Sequence, residues 1–171
     1  MRYALAFLSV LLLAACAGEP LQVPRTCPQV AVVRDLALLE RYDGQRLMLR
    51  AGLTNVASGC EYQEGKVRIR AAFNAVARRG DGNTSEKEKA EFFVAVINHK
   101  DDVIDKQYDK ALWEWSSTDV EKITNEELDI TLEGDDLEAL SNHRVWLGWN
   151  LDDAQLKANR EKISKLLRPN G

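Results

Sequence analysis

The sequence predicts a mainly β fold, an antiparallel immunoglobulin-like β-sandwich with one C-terminal helix. Three observations support this prediction: about seven strand-like stretches, turn signals that separate them in hairpin-sized steps, and a single helical pattern at the end of the chain. Helices do not alternate with the strands, which argues against a parallel α/β sheet. A lipocalin-like barrel is the alternative, but the strands are too unevenly spaced for an up-and-down series.

The first predicted elements of the sandwich are short. Residues 29–33 form an apolar run that predicts an edge strand. Residues 35–42 carry leucines behind Asp35, a residue type that caps helices, and predict one or two helical turns. Asp43-Gly44 is a turn signal that separates this segment from the longer strands that follow.

Two long stretches predict a hairpin. From residue 45, apolar and polar residues alternate up to a break at Ser58-Gly59, and Glu64-Gly65 predicts a tight turn. The alternation resumes over residues 66–78, where a basic face lies opposite an apolar face. The predicted core residues on the apolar face are Val67, Ile69, Ala71, Phe73, Ala75 and Ala77.

The second half of the chain predicts further strands and two loops. Residues 92–97 are apolar at every position, which predicts a central strand covered on both faces. A polar loop over residues 79–90 precedes this strand, and an acidic loop over residues 134–142 precedes the last one. The remaining strands are predicted at residues 103–115, 128–132 and 145–151.

The chain ends in a predicted helix over residues 152–168. Gln155 follows Asp152 at the spacing of a capping box, in which each residue satisfies a backbone N–H of the other. The helical face predicted to be apolar consists of Leu156, Ile163, Leu166 and Leu167.

The N-terminus has the pattern of a secretory signal peptide, with a basic Arg2, an apolar run over residues 3–13 and then small residues. The run is too short for a membrane span, which needs about 20 apolar residues. Leu13-Ala14-Ala15-Cys16 resembles the lipobox of bacterial lipoproteins. That resemblance implies cleavage before Cys16, a diacylglyceryl group on its sulfur and an acyl chain such as palmitate on its new amine. A plain signal peptide with a structural Cys16 is the alternative.

These features divide the chain into three parts: a lipoprotein signal peptide (residues 1–15), a lipidated cysteine with a tether (residues 16–26) and the β-sandwich domain (residues 27–171). A cysteine carrying two or more acyl chains holds a protein stably in a membrane. The similarity to lipoproteins also implies, through Ala17 after the cysteine, the outer membrane. We therefore expect a lipid-anchored envelope protein, on the periplasmic face rather than the cell surface.

Two cysteines remain once lipid occupies Cys16. In an oxidising compartment the simplest outcome is a disulfide bond between Cys27 and Cys60. Such a bond would stabilise the fold by about 3–4 kcal/mol through loop entropy. Two buried free thiols are the alternative.

The sequence contains no motif that predicts catalysis or a cofactor. The serines lack the local patterns of activated nucleophiles, and no Gly-rich phosphate loop occurs. The net charge of −4 argues against nucleic acid as a partner. His99 and His143 fall in different turns without the spacing of metal ligands, so no metal site is predicted.

Three pairs of aspartates and a group of aromatic residues leave alternatives open. The pairs Asp101-Asp102, Asp135-Asp136 and Asp152-Asp153 suit calcium or a glycosidase, but ordinary turn and cap chemistry is favoured. For the tryptophans, stacking on carbohydrate is one hypothesis. A position in the core is favoured for Trp149. For Trp113 and Trp146 we favour a position on the second face of the sheet, under the helix. Arg68 and Arg70 suit an acidic partner, although a solvated strand face is favoured. The tryptophans in question are Trp113, Trp115, Trp146 and Trp149.

Over residues 16–160, the chain resembles a group of small proteobacterial cell-envelope lipoproteins of unassigned function. The motifs that carry the resemblance are Cys16 with its linker, Cys27-Pro28, Cys60-x-Tyr62, Phe93-Val94-Ala95-Val96, Gly148-x-x-Leu151, Gln155-Leu156 and Asn159-Arg160. These motifs are structural rather than catalytic, so the resemblance implies a location and a fold but no activity.

Together these features predict a lipid-anchored envelope lipoprotein that acts as a binding or structural accessory module. Its expected partners are the membrane, through Cys16, and an envelope protein. An enzyme acting on envelope polysaccharide, or a carbohydrate-binding domain, is the alternative.

Overall fold

A computed structural model describes residues 26–168, which fold as two packed sheets of four strands each. The predicted signal peptide, the lipidation candidate Cys16 and nearly all of the tether lie outside the described residues.

Within residues 26–168, the fold consists of eight strands, one short 3-10 turn and two helices. The strands are β1 (Gln29–Val32), β2 (Leu38–Asp43), β3 (Arg46–Gln63), β4 (Lys66–Arg79), β5 (Lys87–Ile97), β6 (Val103–Glu114), β7 (Glu121–Glu133) and β8 (Arg144–Trp149). The 3-10 turn spans Arg34–Leu36, and the helices are α1 (Leu137–Ser141) and α2 (Asp153–Leu167).

The strand connections confirm the predicted sandwich. Sheet A has the order β1-β8-β5-β6 and sheet B the order β2-β3-β4-β7. Strands β4 and β7 pair in one sheet while β5 and β8 pair in the other, the crossed arrangement of strands B with E and C with F in immunoglobulin folds. Among the described strands only β1 and β8 pair in parallel, so sheet A is mixed rather than purely antiparallel.

The core lies between the two sheets and follows the alternation read from β4. All six predicted positions of that strand are buried, and Phe73 meets Phe92 of β5 edge to face at 5.3 Å between ring centroids. Strand β5 is central and packed on both faces, as predicted, because Leu36 of the 3-10 turn packs on its second, outer face. The core therefore has one main layer and a smaller cluster outside sheet A.

Strand β3 is longer than predicted. It runs unbroken for 18 residues through Ser58-Gly59, where the sequence predicts a break. A bulge between Thr54 and Ala57 absorbs the irregularity, and Asn55 there adopts a left-handed φ of 55°. Because β4 pairs with β3 from Ala57 through Gln63, the local turn signal at Ser58-Gly59 does not end the strand.

The helix predicted over residues 35–42 is wrong. Only Arg34–Leu36 turn, as a 3-10 segment, and Leu38–Asp43 form β2 instead. Strand β2 pairs with β3 and buries Leu39 between the sheets, so pairing with a neighbouring strand overrides the local helical spacing. The acidic loop over residues 134–142 is wrong in part, because α1 forms inside it.

Helix α2 begins with the predicted capping box between Asp152 and Gln155. Its contact with the sandwich differs from the predicted apolar face, since Leu166 and Leu167 are exposed. The buried residue of the helix is Asn159, whose amide donates hydrogen bonds to the backbone oxygens of Asp35 and Leu38. Polar contacts therefore dock the helix on the 3-10 turn and β2.

Candidate functional site

The predicted disulfide between Cys27 and Cys60 is present. It joins the start of the domain to β3, with the two Cα atoms 5.6 Å apart. Nearby, the Tyr62 hydroxyl donates a hydrogen bond to the backbone oxygen of Thr26. The pair therefore has a structural position at one end of sheet B.

The aspartate pairs serve local structure, as the sequence favoured. Asp136 and Asp152 cap the two helices by accepting backbone N–H groups. Asp101 forms an ion pair with Arg144, and Asp102 accepts a hydrogen bond from the Asn98 side chain. Residues 26–168 contain no group of three or more metal-type ligands.

Two histidines from different turns meet in space, a contact that the sequence did not indicate. The ring centroids of His99 and His143 lie 6.3 Å apart. His143 is buried, and its Nδ1 lies 2.8 Å from the backbone oxygen of Ala139. No third metal-type ligand joins them in the described part of the chain.

Three of the four tryptophans are buried. Trp113 lies between the sheets and donates its indole N–H to the backbone oxygen of Ala75, so the prediction that it covers the outer face is wrong. Trp149 is fully buried, as predicted. Only Trp146 is exposed, at 38%, on the outer face of sheet A beneath the Arg144 guanidinium.

Strand β6 is the most exposed element of the sandwich. It forms one edge of sheet A, and its first eight residues, Val103–Lys110, are all exposed. From Asp105 onwards alternate residues face opposite sides, and the buried Trp113 assigns the odd positions to the inner side. A bulge between Val103 and Asp105 interrupts the alternation, and Val103 shares the outer side with its partner Ile97. The outer side beyond the bulge consists of Lys106, Tyr108, Lys110 and Leu112.

The inner side of β6 is acidic and faces an open seam between the sheets. Asp105 and Asp109 pair in register with Val96 and Phe92, which are both core residues. Glu126 of β7 pairs in the same way with the core residue Phe73. Carboxylates from the two edge strands therefore approach this seam from both sheets.

The Glu126 carboxyl in this seam is electrostatically perturbed. Burial raises its pKa, a hydrogen bond involving Thr124 lowers it, and the negative charge of Asp109 raises it further. The net effect is a raised pKa, because desolvation and a like charge both disfavour the ionised form.

Charges on the outer face of sheet B are neutralised within the protein, unlike those of β6. Arg68 pairs with Asp129, and Arg70 pairs with Glu61. For these two arginines an acidic binding partner was an alternative in the sequence analysis, and acidic residues of the protein itself occupy that position. Within residues 26–168, no ion pair involves the four charged residues at the exposed end of β6, which are Asp105, Lys106, Asp109 and Lys110.

The fold and this surface define a disulfide-bonded β-sandwich that presents a charged, exposed edge strand. Comparison with models of protein families, with curated proteins and with solved structures found no match. None of the helices within residues 26–168 is long and apolar enough to span a membrane.

Proposed function

We propose that this protein is a lipid-anchored lipoprotein of the bacterial cell envelope that acts by binding, as an accessory or structural module. In this proposal the lipid is attached to Cys16, and the domain lies on the periplasmic face of the outer membrane. The lipobox-like sequence supports the anchor. The disulfide supports an oxidising compartment, because such bonds rarely persist in the cytosol.

The exposed apolar side chains of β6 support a protein partner. Val103, Tyr108 and Leu112 are 59%, 53% and 60% exposed and share the outer side of β6, and Ile104 at the bulge is 53% exposed. Clustered exposed apolar residues with charges among them are typical of interaction surfaces. Lys106 adds to this surface, since its ammonium lies 4.5 Å from the centroid of the Phe93 ring.

Site-specific photo-crosslinking in intact cells tests the binding function. A photoreactive residue at Ile104 of β6 is expected to capture one specific envelope protein. Ile123 on β7 is the matched control, because it is the same residue type with a similar exposure of 58%. Equal capture from both positions, or capture from neither, would contradict a binding surface on β6.

Membrane fractionation tests the anchor. The Cys16→Ala variant is expected to lose its membrane association, because no lipid can attach to alanine. Ser58→Ala, an exposed position on β3, is the matched control and should remain with the membranes. A Cys16→Ala protein that still sediments with membranes would remove the lipid anchor from the proposal.

Envelope polysaccharide is the second candidate ligand. The raised pKa of Glu126 beside Asp109 suits a general acid next to a second carboxylate, and Trp146 offers an exposed ring for a sugar. Co-sedimentation with purified peptidoglycan tests this candidate. Binding that disappears in Trp146→Ala or Glu126→Gln would favour the polysaccharide over a protein partner.

A further inference from the structure

The free edge of β6 is long, and the features that restrict pairing on it are a bulge between Val103 and Asp105 and the charged side chains. Strand β6 spans 12 residues, whereas strands commonly have about five or six, and within the described residues it pairs only with β5. Among residues 26–168 the backbone N–H and C=O groups on its other side have no strand partner, and such an edge can act as a template for another chain. No proline interrupts Val103–Glu114.

The other sheet edges differ from β6 in exposure and in charge pairing. Strands β1 and β2 are short, with four and six residues, and Gln155 of α2 bonds to the backbone of β2. Strand β7 is long, but its residues alternate between exposed and half-buried, and Asp129 and Glu121 on it are paired with arginines of β4. The first eight residues of β6 are exposed on both sides, and its four charged residues there form no ion pair within residues 26–168.

The charges of β6 disfavour pairing between two copies of this chain. In an antiparallel pair of identical strands, residues directly opposite each other share one side of the sheet. Every register centred on a residue from 105 to 109 places like charges opposite each other. Registers centred on residues 105, 106 and 109 place Asp105, Lys106 and Asp109, respectively, opposite the same residue of the other copy. The register centred on residue 107 places Asp105 opposite Asp109, and the one centred on residue 108 places Lys106 opposite Lys110. Like charges at such positions are destabilising.

From these observations we infer that β6 binds an extended segment of a partner protein, which adds to sheet A as a fifth strand. The segment carries basic residues opposite Asp105 and Asp109, and acidic residues opposite Lys106 and Lys110. Backbone hydrogen bonds supply affinity, and the charge pattern selects the partner and its register. This inference rests on the proposed binding function and specifies its geometry.

A designed peptide tests the inference on the full chain in detergent. Glu-Lys-Val-Thr-Glu-Lys-Val-Thr, placed antiparallel with its first six residues opposite residues 110 to 105, puts an opposite charge against each of the four charged residues. The control peptide Glu-Glu-Val-Thr-Lys-Lys-Val-Thr has the same composition. Whether it lies antiparallel or parallel to β6, it places an opposite charge against only two of the four charged residues. The matched peptide is expected to bind at least about tenfold more tightly, because four favourable cross-strand pairs replace two.

Amide hydrogen exchange shows where the peptide binds. Strand addition is expected to protect alternate amides within residues 105–110, beyond the bulge, since only every second N–H there points to the free edge. The Asp105→Lys/Asp109→Lys variant should lose this protection. Glu64→Lys/Asp81→Lys carries the same change of charge on exposed turns and should retain it.

Three outcomes would overturn the inference: equal binding of both peptides, protection confined to residues outside β6, or no protection at millimolar peptide. Crosslinking in cells separates this failure from failure of the binding function. If Ile104 captures an envelope protein but the matched peptide does not protect the amides of β6, the binding function is supported and strand addition is contradicted. Absence of capture would remove both.

Discussion

Lys162 in helix α2 donates a hydrogen bond to the Glu40 carboxylate of β2, across 122 positions of sequence. Glu40 is buried and also accepts hydrogen bonds from Arg50 at 2.8 Å and Tyr42 at 3.0 Å. One carboxylate thus joins the terminal helix to two strands of sheet B. Buried charges are tolerated when they are paired and hydrogen-bonded in this way.

We expect Glu40→Gln to lower the free energy of unfolding by about 1–2 kcal/mol, because charge-assisted hydrogen bonds become weaker ones. Urea denaturation at pH 7 measures the change. Glu161→Gln, an exposed carboxylate on the same helix, is the control and should alter stability little. An equal loss in both variants would show that Glu40 has no special role in docking α2.

The contribution of Glu40 should depend on pH. Burial raises its pKa, but the hydrogen bonds from Lys162, Tyr42 and Arg50 and the charge of Lys162 lower it more, so the net pKa lies below 4.5. The unfolded chain therefore binds more protons below pH 4.5, and the stabilisation is lost as the pH falls through the folded-state pKa. The difference between wild type and Glu40→Gln should be full above pH 5 and shrink below pH 4.5. A difference that stayed constant would contradict this.

Removing the Cys27–Cys60 disulfide should lower the free energy of unfolding by about 3–4 kcal/mol, because it closes a loop of 33 residues in the unfolded chain. Thermal unfolding of the Cys27→Ala/Cys60→Ala variant, beside the wild type with and without reductant, measures this loss. Reductant should destabilise the wild type and leave the double variant unchanged. Alkylation of either cysteine in the non-reduced wild type would contradict the bond.

Gly148 is expected to tolerate no side chain, because the chain packs closely over it. A Cβ at this position would lie 2.7 Å from Leu36 Cβ and 2.9 Å from Phe93 Cε1. Gly148→Ala should therefore lower the free energy of unfolding by about 1–3 kcal/mol, the usual cost of overpacking. Gly59→Ala on β3 is a matched control, since a Cβ there meets no atom within 4 Å. Chemical denaturation of both variants should separate them clearly.

The elements that the sequence predicted well are those in which one physical signal dominates. Residues 66–78 alternate because β4 has one buried and one solvated face, and Phe92–Ile97 are apolar throughout because Leu36 covers the second side of β5. The capping box at Asp152 and Gln155 is local chemistry within one helical turn. Such signals need no knowledge of distant neighbours.

The features that the sequence did not predict depend on contacts between distant segments. Strand β2 formed where leucine spacing favoured a helix, because β3 offered it an edge. The candidate site was missed for the same reason. The exposure of β6 follows from its place at the end of a sheet, and the approach of Asp109 and Glu126 follows from two separate strand registers. No local pattern marks either arrangement.

The Glu126 carboxyl provides a test of the open seam between β6 and β7. Its pKa is raised, so between pH 4.5 and the folded-state value the folded protein binds more protons than the unfolded chain. Stability contributed by this group therefore falls as the pH rises through that window. Glu126→Gln carries no charge to desolvate, so it should raise the free energy of unfolding at pH 7 and change it little at pH 4.

Denaturation at both pH values measures this difference, with Glu127→Gln as the control on the exposed face of the same strand. The control should show no comparable gain at pH 7. Loss of stability in Glu126→Gln at pH 7 would contradict a desolvated carboxylate and would mean that its hydrogen bond outweighs burial. A gain confined to Glu126→Gln would show that the protein retains an unfavourable charge in the seam, a cost that a positive charge brought close to it would offset.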